Sequence, residues 1–459
     1  MDIADTLFGA VELAMRESAL FAATGFLLLG LCDLAVDLIW IVGSARRKLR
    51  RARTACTAAT LPAAEHPGPI AIFIPAWDEG AVIGRMLSHS LATFGGADFR
   101  LYVGCYPNDP DTIEAVRSLA HRRVRLVVGP VPGPTTKADC LNRLWEAMCV
   151  DEAKCGRRFK AVVLHDAEDV VHSAELRIFD RLIESFDLVQ LPVLPLIDGN
   201  SRWIGGHYAD EFAESHGKEL VVREWLGASI PSAGVGCAFC REALGRLAGE
   251  AAPFDAESLT EDYELGLRLR AAGGRAAFVR IPAAPGKGIV AIREYFPGTV
   301  RGSVAQKARW MAGIALSGWD RLGWSGGLAE RWMRLRDRQS LLAALCLVAG
   351  YVALAAAALL EARELAGGAA PAPFGPALEL MLLLNAAMLL WRLAMRFAFT
   401  TRAYGWREGL RSVPRVVVSN AIAILAARRA LFRYLSTRRS GRAQWDKTRH
   451  VFPNELPAE

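Results

Sequence analysis

Two kinds of hydrophobic pattern divide the chain. In the first, apolar residues run on for the width of a membrane: Ser340 to Leu360 is 21 residues without a charge, and a helix of about 20 such residues covers a hydrocarbon core. Residues 339–361 are therefore predicted to span. Ala19 to Ile41 is almost as apolar and makes residues 18–43 a second span, between an N-terminal segment 1–17 and a basic linker 44–68. Within it Asp33 and Asp37 stand one turn apart, so both carboxylates share a face that must meet protein or water. No basic stretch precedes this segment and no small-residue cleavage site follows it, which predicts a retained anchor rather than a cleaved signal. Residues 376–399 form a third span, uncharged from Leu380 to Trp391, with Arg392 and Arg396 placed to snorkel at its end. Val416 to Ala427, held between Arg415 and Arg428, is short for a crossing, so residues 412–432 are expected as an interfacial, re-entrant or short transmembrane helix before a basic tail, 433–459.

The second pattern is shorter and alternates. Ile70 to Ile74 is a brief apolar run ended by Pro75 and followed by a helical stretch from Ala81. Further strands are expected near Phe99 to Cys105, Val124 to Val128, Ala161 to Leu164 and Leu188 to Val193, with helices after Asp111, Thr136, Ser173 and Gly206. This predicts an α/β domain over 69–302, a mainly parallel sheet covered by helices, joined to the membrane through an interfacial region, 303–338. Ligands of such sheets bind at the carboxyl ends of the strands. No G-x-G-x-x-G follows a strand, Gly234 and Gly236 lack a third glycine and a helix start, and no Walker A sequence occurs. Dinucleotide oxidoreductase and P-loop readings thereby lose their support.

Charge adds orientation. The net charge is +7, and Lys supplies only eight of 55 basic residues. Arg46, Arg47, Lys48, Arg50, Arg51 and Arg53 follow the first span, Arg331, Arg334, Arg336 and Arg338 precede the second, and Arg392, Arg396 and Arg402 close the third. Such clusters belong on the cytoplasmic side, which places 69–302 in the cytosol and the uncharged Ala366 to Pro373 outside. Topology accounts for the basic residues, so no nucleic-acid partner is expected. Nine cysteines without framework spacing predict reduced thiols, and Cys237 with Cys240 lacks the second pair that a zinc site needs.

Acidic groups collect where strands end. After Ala161 to Leu164 comes His165-Asp166-Ala167-Glu168-Asp169, whose crowded carboxylates suit a hard cation such as Mg²⁺ or Mn²⁺; a charged turn with Asp169 capping a helix is the alternative. Tyr106 to Asp111 reads as a turn and helix cap, and Thr260-Glu261-Asp262 as a helix start. Gln306-Lys307-Ala308-Arg309-Trp310 suits an interfacial helix. His165 and His172 flank the acidic motif and are assigned to no metal.

Taken in order, these clusters resemble the membrane-embedded family 2 glycosyltransferases, whose catalytic domain has the GT-A fold. The resemblance runs through Ile72-Phe73-Ile74-Pro75-Ala76-Trp77-Asp78-Glu79, Thr136 to Asn142, Asp166-Ala167-Glu168, Thr260-Glu261-Asp262 and Gln306-x-x-Arg309-Trp310. More narrowly, Leu164 to His172 and Trp445-Asp446-Lys447-Thr448 are similar to the bacteriophage N4 adsorption protein B group. The resemblance implies a nucleotide-sugar donor against Pro75, Glu79, Asp109, Lys137 and Asp166, and Mg²⁺ or Mn²⁺ on Asp166 and Glu168. It makes Asp262 the general base and sets Gln306, Arg309 and Trp310 on the diphosphate and acceptor. Gly234, in Ser232 to Cys237, and Arg241 would border the acceptor, or merely edge a Gly-rich strand. Glu168 stands where the family usually has Asp, and Asp169 is adjacent, which leaves two candidates for the second ligand. Trp445 to Thr448 is expected either as a lid over the nucleotide or as plain tail.

The implied function is inverting hexosyl transfer from a nucleotide-sugar, a UDP-sugar first, to a growing exopolysaccharide at the bacterial inner membrane. An outer-membrane export partner belongs to that expectation. The alternatives are a single addition to a lipid-linked acceptor and a non-catalytic scaffold or receptor component. Retention of Asp166, Asp262 and Arg309 together argues for an enzyme.

Overall fold

A computed structural model describes residues 3–50, 56–249, 251–440 and 450–455. The chain opens with α1 (Ile3–Arg50), then alternates β1 (Ile70–Pro75), α2 (Ile83–Thr93), β2 (Phe99–Cys105), α3 (Pro110–Arg117), β3 (Val124–Val128), α4 (Lys137–Cys155), β4 (Ala161–Leu164), α5 (Glu175–Leu182) and β5 (Leu188–Gln190). Next come α6 (Gly206–Glu214), α7 (Leu220–Trp225), β6 (Cys237–Cys240), α8 (Arg241–Ala248), α9 (Glu261–Ala271) and β7 (Ala276–Phe278). The last part is helical: α10 (Val300–Met311), α11 (Gly318–Leu322), α12 (Leu328–Arg338), α13 (Ser340–Leu365), α14 (Pro376–Tyr404) and α15 (Trp406–Ser440).

Seven strands form one sheet in the order β3-β2-β1-β4-β6-β5-β7. Every pairing is parallel except those of β6, which runs antiparallel to β4 and β5. The central strands are apolar on both faces because helices cover both: Ile70, Ile72 and Ile74 face one core with Met86, Leu87 and Phe179, while Ala71 and Phe73 face the other with Leu141 and Leu144. Local chemistry starts the helices. Thr136 caps α4 by accepting from the Asp139 amide, and Asp109 caps α3 ahead of Pro110.

Four helices are long and apolar enough to cross a membrane. The first differs from the expected 18–43: α1 continues through both flanks for 48 residues, a rod of about 70 Å. It holds no proline to stop it, so the polar ends of the segment extend the helix beyond the apolar stretch. Small residues let it approach its neighbours, Gly25 against Cys346 on α13 and Gly30 against Met388 on α14. The fourth segment, read as 412–432, is likewise longer: α15 runs 35 residues through Pro414. Arg415 was counted against it as a charge, but its guanidinium is fully buried, pairing with Asp210 at 3.0 Å and with Glu408.

The acidic face of α1 does meet protein. Asp37 accepts from Trp391 Nε1 at 2.7 Å and pairs with the buried Lys218, while Asp33 lies 2.9 Å from Arg336 and 3.5 Å from Arg392.

Candidate active site

A cavity of about 660 Å³ opens at the carboxyl ends of β1 and β4 and reaches the membrane helices. Its donor-side wall carries Pro75, Glu79, Lys137, Asp166 and Glu168, and facing them are Asp262, Gln306, Arg309 and Trp310. Residues separated by more than two hundred positions thus converge where a parallel sheet presents its strand ends.

Pro75 ends β1, and the turn after it is held by the β2 side of the sheet. The Asp78 amide donates to Asp109 Oδ2 at 2.6 Å, and the Glu79 amide donates to Thr112 Oγ1 at 2.8 Å. Asp78 needs that support, since its φ of 54° lies in the left-handed region. Asp109 itself does not line the cavity; its carboxylate serves the turn and the α3 cap.

Lys137, at the first turn of α4, contacts Asp166 at 2.6 Å. Burial opposes its charge, but Asp166, Glu261 and Asp262 more than compensate, so Lys137 remains an ammonium. Within the acidic motif the two candidate ligands separate. Asp169 turns inward, its Oδ2 2.7 Å from His165 Nδ1 and 3.2 Å from the Asp166 amide, while His165 Nε2 reaches Glu175 at 2.8 Å. Burial disfavours the His165 charge, yet Glu175 and Asp169 raise its pKa to about 10, so an imidazolium braces the loop. Glu168 instead faces the cavity, buried, with an Oε2 that accepts no hydrogen bond.

Carboxylates crowd this end. Burial pushes Glu168 well above the usual range, with His450 opposing and Asp166, Glu294 and Glu79 adding to the rise. Glu294 is pushed up in the same way by burial, Asp169 and Asp166. A hard divalent cation would relieve this repulsion through oxygen ligands, and the donor set here fits one.

Across the cavity, Thr260-Glu261-Asp262 begins α9. Asp262 Oδ1 accepts from the Tyr263 amide at 2.7 Å, and burial raises its pKa against the pull of Lys137. Gly234, at φ 77°, lies behind this carboxylate: a Cβ there would sit 2.3 Å from Asp262 Oδ2. Gly234 therefore makes room for Asp262, although it does not itself line the cavity. Arg241 lies elsewhere, paired with Glu152 at 2.8 Å and stacked 4.1 Å from the Trp145 ring centroid. Gln306 Oε1 and Arg309 Nε on α10 are buried without a hydrogen-bond partner, polar groups turned to a cavity with nothing yet to hold.

Several lining residues went unread in the sequence. Glu294 comes from the segment after β7 and has no motif around it. Wide π turns at Ser215–Glu219 and Ala312–Ser317 bring Ser215, His216, Glu219 and Ile314 to the wall, a backbone feature without a residue pattern. His450 lies two positions beyond the Trp445 to Thr448 motif and reaches Glu79 at 2.6 Å and Glu168 at 3.2 Å. That motif, expected as lid or tail, falls outside the described residues.

Comparisons with known proteins agree with this geometry. The model of the family described as "Glycosyltransferase like family 2" matches residues 67–313. Two curated relatives, "Bacteriophage adsorption protein B" of Escherichia coli K12 and "Bacteriophage N4 adsorption protein B" of Escherichia coli O157:H7, are each 35% identical over 99% of this chain. The chain spans 64% of the length of those relatives. Among solved structures, a mannosyltransferase from Pyrobaculum calidifontis in complex with GDP-Man and Mn²⁺ aligns with 90% of this chain and 99% of its own at a TM-score of 0.51 and 16% identity, a likeness of fold. With a GT-A-like sheet, strand-end carboxylates and membrane helices in one molecule, the chain belongs to the family 2 glycosyltransferases.

Proposed function

We propose that this protein is an inverting glycosyltransferase that moves a hexosyl group from a nucleoside diphosphate sugar to an acceptor hydroxyl at the bacterial inner membrane. One observation carries the reading: a single cavity sets Asp262 opposite Lys137, Asp166 and Glu168. Asp262 takes the proton of the acceptor hydroxyl, and its raised pKa makes it a better base than an exposed aspartate. The acceptor oxygen bonds to the anomeric carbon from that side as the bond from carbon to diphosphate oxygen breaks on the other, so the configuration inverts. Lys137 and Arg309 receive the charge of the departing nucleoside diphosphate, and Gln306 and Trp310 position the acceptor sugar. Mg²⁺ or Mn²⁺, held by Glu168 with Asp166, would supply further positive charge at the diphosphate. Support for this donor class comes from the fold neighbour, which holds GDP-Man and Mn²⁺; Pro75, Glu79 and Lys137 line the corresponding strand ends here, with Asp109 bracing the turn.

The basic flanks of the spans support a cytosolic catalytic domain. Both relatives are named for phage adsorption, which favours a surface polysaccharide as product, exported with an outer-membrane partner. A second reading keeps the chemistry and changes the acceptor. The same cavity is lined by Asp33, Arg336 and Arg392 of α1, α12 and α14, so a lipid-linked acceptor could reach Asp262 from the bilayer side.

The test is release of nucleoside diphosphate from a panel of UDP- and GDP-sugars by the detergent-purified protein with Mg²⁺, Mn²⁺ or EDTA, and with polysaccharide or lipid acceptors. Metal-dependent turnover of one donor is expected, and its product separates the two acceptors. Absence of turnover with every donor and acceptor, in membranes as well as detergent, would favour the scaffold.

A further inference from the structure

We propose that His450, delivered from beyond the last membrane helix, is a protein ligand of the divalent cation, so that the metal centre is completed only when the segment after α15 is docked. This rests on the reading of the cavity as a metal-dependent donor site and adds to it a ligand that no strand end supplies.

The geometry is that of a ligand set. One donor atom each from Glu79, Glu168 and His450 lie within 4.8 Å of one another. His450 Nδ1 is 2.6 Å from Glu79 Oε1 and 3.2 Å from Glu168 Oε2. Adjacent ligands of an ion with bonds of about 2.1 Å stand about 3 Å apart, so a small cation fits among these atoms after slight adjustment. Glu168 Oε2 is buried and accepts no hydrogen bond, which marks it as an atom aimed at something else.

The placement of His450 is fixed by its own segment. Phe452 is buried in the core beside α2, with its ring under the Arg85 guanidinium at 5.2 Å and near His89. Arg85 donates to the Phe452 carbonyl at 3.3 Å, to the Pro453 carbonyl at 2.5 Å and to Asn454 Oδ1 at 3.2 Å. This anchor lies two residues from His450, too near for the imidazole to wander far from the carboxylates. The donor pocket is thereby closed by a piece of chain that belongs, in sequence, to the membrane end. An imidazole among carboxylates also shifts preference from Mg²⁺ toward Mn²⁺.

The experiment is Mn²⁺ binding to the full chain in detergent, with and without UDP or GDP, followed by electron paramagnetic resonance. Wild type is compared with His450→Ala, His450→Gln, Phe452→Ala and Glu168→Gln. The expected result is an imidazole ¹⁴N coupling to Mn²⁺ in wild type, lost in both His450 variants. Their Mn²⁺ affinity should fall about tenfold or more, with a smaller fall for Mg²⁺. Hydrogen exchange over 450–455 should slow on adding Mn²⁺ to wild type and not to His450→Ala. Phe452→Ala, which keeps the imidazole and frees the strap, should weaken Mn²⁺ as well. If Glu168→Gln loses the ion while the His450 variants hold it as tightly as wild type or more tightly, His450 is not a ligand and the donor-site reading survives. If wild type holds no Mn²⁺ even with nucleoside diphosphate present, both readings fall together.

Discussion

Two buried charge clusters sit at opposite ends of one cavity and are built differently. At the membrane end, Asp33, Asp37, Glu214 and Glu219 meet Lys218, Arg336 and Arg392: Glu214 lies 2.6 Å from Lys218 and 2.8 Å from Arg392, and Asp33 lies 2.9 Å from Arg336. Every acid there has a cationic partner, and Asp37 also holds Trp391. At the donor end, Glu79, Asp166, Glu168, Asp169 and Glu294 share Lys137, His165 and His450, and Glu168 keeps an unbonded oxygen. The first cluster balances within the protein, as a polar group among membrane helices must. The second leaves an excess of negative charge that a donor with its cation would neutralise. Charge balance, rather than burial, separates the scaffold from the site.

That distinction can be broken by experiment. The largest effect is expected for Asp262→Asn, which keeps shape and removes the base: nucleoside diphosphate release should fall by about 10²–10⁴-fold with donor binding retained. An unchanged rate would move the base elsewhere and leave Asp262 as structure. Next is Lys218→Met, which strands Asp37 and Glu214 in the interior. Thermal unfolding in detergent should show a loss of about 3–5 kcal/mol, whereas Glu168→Gln, relieving repulsion, should leave the metal-free protein as stable as wild type or more so. Equal losses in both variants would erase the contrast between the clusters. Gly234→Ala should then cost about 10²-fold in rate, because its methyl displaces Asp262 and its φ of 77° disfavours alanine; a rate within twofold of wild type would show that Asp262 tolerates the shift.

How far the sequence revealed this follows from what each feature writes locally. The β/α alternation was legible because every strand is a short apolar run ended by turn residues, and the ordered acidic motifs exposed the family. Spacing could not separate Glu168 from Asp169; that required seeing His165 claim Asp169. Asp109 and Arg241 carry the right chemistry but spend it on the turn after β1 and on Glu152. The fourth long helix was underread because hydropathy counts Arg415 as exposed, although Asp210 and Glu408 neutralise it. His450 had a neighbouring motif to mark it, whereas Glu294 had none, since its position depends on how the segment after β7 returns to the sheet.

The smallest expected effect tests the contrast through pH. Glu261 lines the cavity beside Asp262, and burial together with Asp262 raises its pKa from 4.5 to about 7. The folded protein therefore holds this proton at a pH where the unfolded chain has released it. The stability that Glu261 contributes is fully present below about pH 4.5 and is lost as pH rises through about 7. Other acids titrate over the same range, so the informative quantity is the difference between wild type and Glu261→Gln, whose amide cannot ionise. With EDTA present, the variant should gain on wild type between pH 4.5 and 7 by on the order of 1 kcal/mol, read from unfolding midpoints. Adding Mn²⁺ should narrow that gain, because positive charge in the cavity favours the ionised acid. A membrane-end substitution such as Lys218→Met should shift the whole wild-type curve downward without changing the Glu261 difference, since its partners lie in the other cluster. Should the Glu261 difference stay flat with pH, the donor end would be as internally balanced as the membrane end, and charge excess would no longer mark the site.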